Sequence, residues 1–165
     1  MATTAVDQTQ LRAEVETLVE KLGPGRASLI PILADVKRRF HEIDDQTMQT
    51  IADVLDIHPV EVYSVASFYA FLHGAPEGQF VIRLCGTLSC DFAGKDAVAD
   101  ALKSALGIGF DETTDDGVFT LEWASCVGMC DQGPALLVND EVHTRVTPES
   151  AAGIVAACRA AAKEA

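Results

Sequence analysis

The sequence predicts an α/β protein in two parts: an N-terminal helical bundle over residues 1–75, then an α/β domain over residues 76–165. Three observations predict it. Apolar residues recur at helical spacing as far as Leu72, with no alternating stretch among them. Past Gly74-Ala75-Pro76-Glu77-Gly78, short apolar runs alternate with helical stretches. The chain has 165 residues, 48% of them hydrophobic, which is enough to bury a core.

The first helix is predicted over residues 8–22, where Leu11, Val15, Leu18 and Val19 share one face, and Gly23-Pro24-Gly25 breaks it. A second runs from about Ser28 to Phe40 through Leu29, Ile32, Leu33 and Val36, with Pro31 tolerated in the first turn. A third carries Met48, Ile51, Ala52 and Leu55. A fourth opens at Pro59 and continues to Leu72, apolar on nearly every side, which predicts burial. In the second part, Phe80 to Leu84 reads as a strand leading into Cys85. A helix follows from about Asp91 to Leu106 on Val98, Leu102 and Leu106. Val118 to Trp123 alternates as a half-buried strand does. Ala135 to Val138 is a third strand, and Asn139-Asp140 turns into a fourth over Glu141 to Arg145. Thr147 and Pro148 suit the cap and first position of a last helix. The order β-α-β-β-β-α is that of a sandwich of thioredoxin type. The acidic run Asp111, Glu112, Asp115 and Asp116 reads as a solvated loop. Gly133 lacks the Cβ that would oppose a cis bond to Pro134, but a trans bond is the base expectation.

Composition narrows the function. The formal net charge is −13, and no Lys or Arg stands between Phe40 and Ile82. The third and fourth helices have the outline of a helix-turn-helix, but phosphate contacts need cations, so nucleic-acid binding is excluded. No apolar run is long enough to span a membrane. The first residues resemble neither a signal peptide nor a transit peptide, which predicts a cytoplasmic protein. Five cysteines in such a chain point to metal binding or redox chemistry rather than to disulfides.

Cys85 and Cys90 form a C-x4-C pair between a strand end and a helix start. Cys126 and Cys130 form a C-x3-C pair just past the next strand. Loops at one sheet edge can meet, and four thiolates are the ligand set of a [2Fe–2S] cluster. Gly86, Gly94, Gly128 and Gly133 permit close backbone approach. Thr87, Ser89 and Ser125 supply donors to sulfur, and Leu88, Phe92, Val127 and Met129 are expected to screen the site. Spacing leaves three rivals standing: a structural zinc site, which commonly uses shorter spacings; dithiol chemistry, for which no C-x-x-C is present; and four small buried hydrophobes.

These residues resemble a known family. The two cysteine pairs, the run Cys126-Val127-Gly128-Met129-Cys130-Asp131-Gln132-Gly133-Pro134-Ala135, and Val146-Thr147-Pro148-Glu149 look like the small thioredoxin-like [2Fe–2S] subunit of complex I. They also look like its relatives in NAD-dependent formate dehydrogenases and NAD-linked or bifurcating hydrogenases, to which the stretch Met129 to Pro134 looks closer than to complex I. Ser28 to Leu33 and Pro59 to Tyr69 resemble that family's helical lead-in. The resemblance implies one [2Fe–2S] cluster on Cys85, Cys90, Cys126 and Cys130. It implies an electron-transfer subunit with no catalytic residue of its own. The implied partners are a larger flavoprotein binding FMN and NAD(H) and further iron–sulfur subunits. A zinc-stabilised structural subunit of such a complex is the alternative. Outside this set, Cys158 reads as a core residue of the last helix, and His41, His58, His73 and His143 as surface or capping residues. The aromatic cluster Tyr63, Phe68, Tyr69 and Phe71 reads as core.

Overall fold

The computed structural model describes residues 7–72 and 77–164, with the side chain of Glu164 left aside. The chain divides into two compact units, Met1–Pro76 and Glu77–Ala165.

The described part of the first unit is helical: α1 (Gln8–Leu22), α2 (Leu29–Phe40), α3 (Asp45–Leu55) and α4 (Pro59–Phe68), with 3-10 turns at Arg26–Ser28 and Ala70–Leu72. The starts of α1, α3 and α4 are each set by a side chain that takes an orphan N–H. Asp7 accepts from Thr9 at 2.9 Å, Asp44 accepts from Thr47 at 2.7 Å, and His58 Nδ1 accepts from Val60 at 3.3 Å. Glu61 reaches back to the His58 N–H and also pairs with Arg26, whose second nitrogen donates to it at 2.9 Å. His41 and Asp56 end α2 and α3 in left-handed conformations, φ 59° and 52°. The apolar faces meet in one core that includes Leu11, Val15, Ile32, Leu33, Val36, Ile51, Leu55 and Val62.

The predicted burial of the whole fourth helix is overturned. Val62 and Ala66 are buried, but Val60, Tyr63, Phe68 and Phe71 are exposed. The four-helix core has room for one side of α4 only, so its other side is left out.

The second unit is a mixed five-stranded sheet with helices: β1 (Phe80–Cys85), α5 (Leu88–Phe92), α6 (Lys95–Leu106), β2 (Glu112–Thr113), β3 (Phe119–Ala124), β4 (Leu136–Val138), β5 (Glu141–His143) and α7 (Pro148–Glu164). The strand order is β2-β3-β1-β4-β5. β1 runs parallel to β3, with Phe80 opposite Phe119 and Cys85 opposite Ala124. β4 is antiparallel to β1, with Leu84 opposite Leu136. Alternation gives the sheet two unlike faces. One carries Ile82, Leu84, Phe119, Leu121, Leu136 and Val138 into a core closed by Val98, Leu102 and Leu106 of α6 and Ala151 and Val155 of α7. The other carries the cross-strand pair Arg83 and Glu122, Nε to Oε2 2.9 Å.

Three differences from the sequence reading have local causes. The single predicted helix over residues 91–106 is two, because Gly94 stands at φ 92°, a conformation that ends α5 and lets α6 start on a new axis. The acidic loop holds a short edge strand, β2, since Glu112 and Thr113 pair with Leu121 and Thr120. Two residues are too few to carry a period. The Gly133–Pro134 bond is cis where trans was the base expectation. Cys158 packs at the edge of the α6–α7 core, and His41 and His58 occupy helix ends, as their sequence positions implied. His73 lies outside the described residues.

Leu121 is fully buried at the centre of the second core. Leu121→Ala is expected to cost about 2–5 kcal/mol, read as a lower urea midpoint. Asp100→Ala, which removes an exposed ion pair with Lys103, should stay within about 0.5 kcal/mol of the parent.

Candidate metal centre

Parallel pairing brings two loops to one place. Because Cys85 and Ala124 are register partners, β1 and β3 end level, and the loops that follow leave the same sheet edge. β4 enters from that edge as well. Backbone bonds tie the three segments together: the Cys85 N–H donates to the Ala135 carbonyl at 3.0 Å, and the Gly86 N–H donates to the Ala124 carbonyl at 2.8 Å. Cys85 closes β1, Cys90 is the third residue of α5, and Cys126 and Cys130 lie on the β3–β4 loop.

The four sulfurs stand in two pairs of different exposure. Cys85 and Cys90 are buried, packed with Ala135 and flanked by Val127 and Met129. Cys126 and Cys130 are exposed, with sulfurs 3.9 Å apart. The Thr87 hydroxyl lies 3.2 Å from the Cys85 sulfur, and the Gly128 N–H donates to the Cys126 sulfur at 3.4 Å. Gly128 reaches that position at φ 82°, a backbone conformation that disfavours any other residue. Gly133 sits against the buried pair, where a Cβ would lie 3.2 Å from the Ala93 Cβ and 3.4 Å from the Cys90 sulfur.

The thiols sense one another. Burial works against ionising Cys85, but hydrogen bonds from Thr87, the Val127 N–H and Cys90 outweigh it and hold its pKa down at about 7. Burial pushes Cys90 up, and the Cys85 sulfur pushes it the same way. Cys130 is raised by the neighbouring Cys126 and, more weakly, by Cys85 across the two loops, against the Ser89 hydroxyl that favours its thiolate. Thiols that oppose each other's ionisation are a place where a cation relieves the repulsion.

The donor set fits a dinuclear cluster. Among the described residues no three His, Cys, Asp or Glu side chains stand close enough to share one ion. Four thiolates, two buried and two exposed on neighbouring loops, are the donor set that a [2Fe–2S] cluster would take, with Cys85, Cys90, Cys126 and Cys130 as the residues that would hold it. Glycine at 133 keeps a Cβ out of the space beside Ala93 and Cys90.

Several sequence expectations are modified here. Thr87 and Ser89 act on sulfur as expected, while Ser125 lies in a groove of about 430 Å³ lined with Gly86, Lys95, Asp96, Trp123 and Ala124. Val127 and Met129 screen the cysteines, but Leu88 and Phe92 do not. They turn outward, Phe92 at 84% exposure, because α5 has only five residues and spends its inner side on Cys90. Sequence reasoning missed Trp123 as a wall of that groove. Its ring stacks on Phe110 at 3.9 Å, with the Lys95 ammonium 5.7 Å from its centroid. Its place at the end of a strand that stops two residues short of a cysteine was the available signal.

Comparison with known proteins agrees with this geometry. The family model described as thioredoxin-like [2Fe-2S] ferredoxin matches residues 15–159. A subunit of the NADH-quinone oxidoreductase of Mycobacterium tuberculosis is 35% identical over 150 residues, covering 91% of this chain and 60% of that relative. The chain thus spans less than two thirds of the length of that protein. NAD-reducing hydrogenase HoxS subunit alpha of Cupriavidus necator is 34% identical over 144 residues, covering 87% of this chain and 24% of that one. A crystal structure of an NAD+-reducing [NiFe]-hydrogenase shares the fold, with a TM-score of 0.72 at 24% identity over 80% of this chain and 23% of that one.

Gly133→Ala is expected to displace the loop or the Cys90 side chain by tenths of an ångström and so weaken metal retention. Metal content per chain should fall while the far-ultraviolet circular dichroism keeps its parent shape.

Proposed function

The chain belongs to the thioredoxin-like [2Fe–2S] ferredoxin family, and we propose that it serves as a one-electron carrier subunit of an NAD(H)-dependent multi-subunit oxidoreductase, with Cys85, Cys90, Cys126 and Cys130 as its cluster ligands. The observation that carries this reading is the meeting of two cysteine pairs at one sheet edge, one pair buried and one exposed. When bound, a [2Fe–2S] cluster takes up and releases single electrons.

The chain's own residues divide the remaining work. Cys85 and Cys90 hold the inner side in a dry setting with Ala135, Val127 and Met129. The Thr87 hydroxyl and the Gly128 and Val127 N–H groups point at sulfur, where they favour added negative charge and so raise the reduction potential. Cys126 and Cys130 form the outer side, the edge by which an electron enters or leaves. Leu88 and Phe92 supply an apolar rim beside it for a partner to cover.

The partner in this reading is a larger flavoprotein that binds FMN and NAD(H), with further iron–sulfur subunits beyond it. The relatives named above are subunits of NADH-quinone oxidoreductase and NAD-reducing hydrogenase, which supports that choice. No helix among the described residues is long and apolar enough to cross a membrane. All five cysteines are unpaired. A reducing compartment suits such thiols, so we place the protein in the cytoplasm, touching a membrane only through its complex.

Each of Cys85→Ser, Cys90→Ser, Cys126→Ser and Cys130→Ser should lose most of the iron and the visible absorption, whereas Cys158→Ser should keep both. A colourless chain holding stoichiometric zinc would overturn the assignment. In the native complex, NADH should reduce the cluster, seen as bleaching and as an electron paramagnetic resonance signal. The same addition to the isolated chain should change nothing, since this reading places the flavin on the partner. A chain isolated gently without any flavin-bearing companion would count against the subunit reading.

A further inference from the structure

The solvent side of α4 is apolar without being a core. Val60, Tyr63 and Phe68 are exposed at 60%, 59% and 79%, joined by Phe71 of the following 3-10 turn at 51%, while Val62 and Ala66 of α4 are buried. The two polar residues on the exposed side do not turn to water alone. The Ser64 hydroxyl donates to the Glu61 carbonyl at 2.8 Å, and the Ser67 hydroxyl donates to the Ser64 carbonyl at 3.4 Å. Each bond spends a hydroxyl on the helix's own backbone and leaves a more apolar surface. The large rings are also held in place. Phe68 and Tyr69 meet edge to face with centroids 5.0 Å apart, and Tyr69 and Phe71 are 5.6 Å apart.

Charge decides what that something is. No Lys or Arg occurs between Phe40 and Ile82, and Asp45, Asp53 and Asp56 lie on α3 and at its end. Arg26 is the cation set against α4, and its charge is matched by Glu61. The whole chain carries −13. A second copy would bring acid to acid, and nucleic acid or an anionic membrane would be repelled in the same way.

We propose that the outer side of α4 is a docking face for a partner subunit whose contact surface is apolar at its centre and rimmed by Lys and Arg. This rests on the reading of the chain as a subunit of a complex, and it concerns residues of the first unit, whereas the four cysteines belong to the second. Val60, Tyr63, Phe68 and Phe71 form the apolar centre, and the acidic charge of the neighbouring α3 favours a basic surround on the partner.

Hydroxyl-radical footprinting of the native complex against the isolated chain tests it. Oxidation of Tyr63, Phe68 and Phe71 should fall about tenfold or more in the complex, as it does for residues at the centre of an interface. The double variant Tyr63→Glu with Phe68→Glu, changed only at exposed positions, should reduce co-isolation with the complex about tenfold or more, yet keep the parent visible spectrum. Phe68→Leu should co-isolate as the parent does. Equal oxidation in complex and free chain would overturn the proposal. So would protection already present in the free monomer, or protection that tracks a dimer of this chain in cross-linking and size-exclusion runs. The electron-carrier reading is scored separately, by flavin and cluster content. A flavin-bearing complex with an unprotected α4 sinks the docking face alone. A protected α4 beneath a basic subunit in a flavin-free assembly sinks the flavoprotein reading alone.

Discussion

The parallel pairing of β1 with β3 is the constraint on which the rest of the second unit depends. Parallel strands leave the sheet from the same end, so pairing Cys85 with Ala124 forces the loops after them into one neighbourhood. The two cysteine-bearing loops leave one sheet edge because of that register. A slip by one residue would exchange the two faces of β1, sending Leu84 out of the core and Arg83 into it. The core therefore protects the site: Ile82, Leu84, Phe119 and Leu121 hold the register, and the register holds the cysteines.

Unequal burial of the two pairs gives the centre a direction. The inner thiols pack with Ala135, Val127 and Met129, and the outer ones are exposed, as are Leu88 and Phe92 of α5. A carrier needs both conditions. In the carrier reading, burial on the inner side and donors on both would tune the potential, and exposure on the outer side would let an electron move. The glycines at 128 and 133 serve the same division, one by bending the outer loop toward the Cys126 sulfur and one by leaving space behind Cys90.

Much of this was legible because it was local. Helix spans, capping residues and cysteine spacings depend on neighbours a few positions apart, and α1, α2, α3 and α7 lie within a few residues of where periodicity and caps put them. The convergence of the pairs was less so. Spacing alone admitted zinc, and it is the level ends of β1 and β3 that bring the two cysteine loops to one sheet edge. The misreadings share a cause. Val60, Tyr63 and Phe68 are apolar, and hydropathy says that such side chains leave water without saying against what. β2 exists only through its pairing with β3, and the outward turn of Phe92 follows from the five-residue length of α5, which Gly94 sets from outside the motif. Each is a fact of partners and geometry that no window of sequence contains.

The two ends of the sheet carry a further meaning. β2 and β5, the strands at its margins, are two and three residues long, and both begin with glutamate. A margin that short presents too few free N–H and C=O groups to template an extra strand, and its charge discourages an approaching one. Fibril-like growth by strand addition is thereby suppressed in a protein otherwise rich in apolar surface. The same brevity closes a route of recognition. Extended peptides that dock by lengthening a sheet find no purchase here, so whatever binds this molecule must do so through its helices and loops.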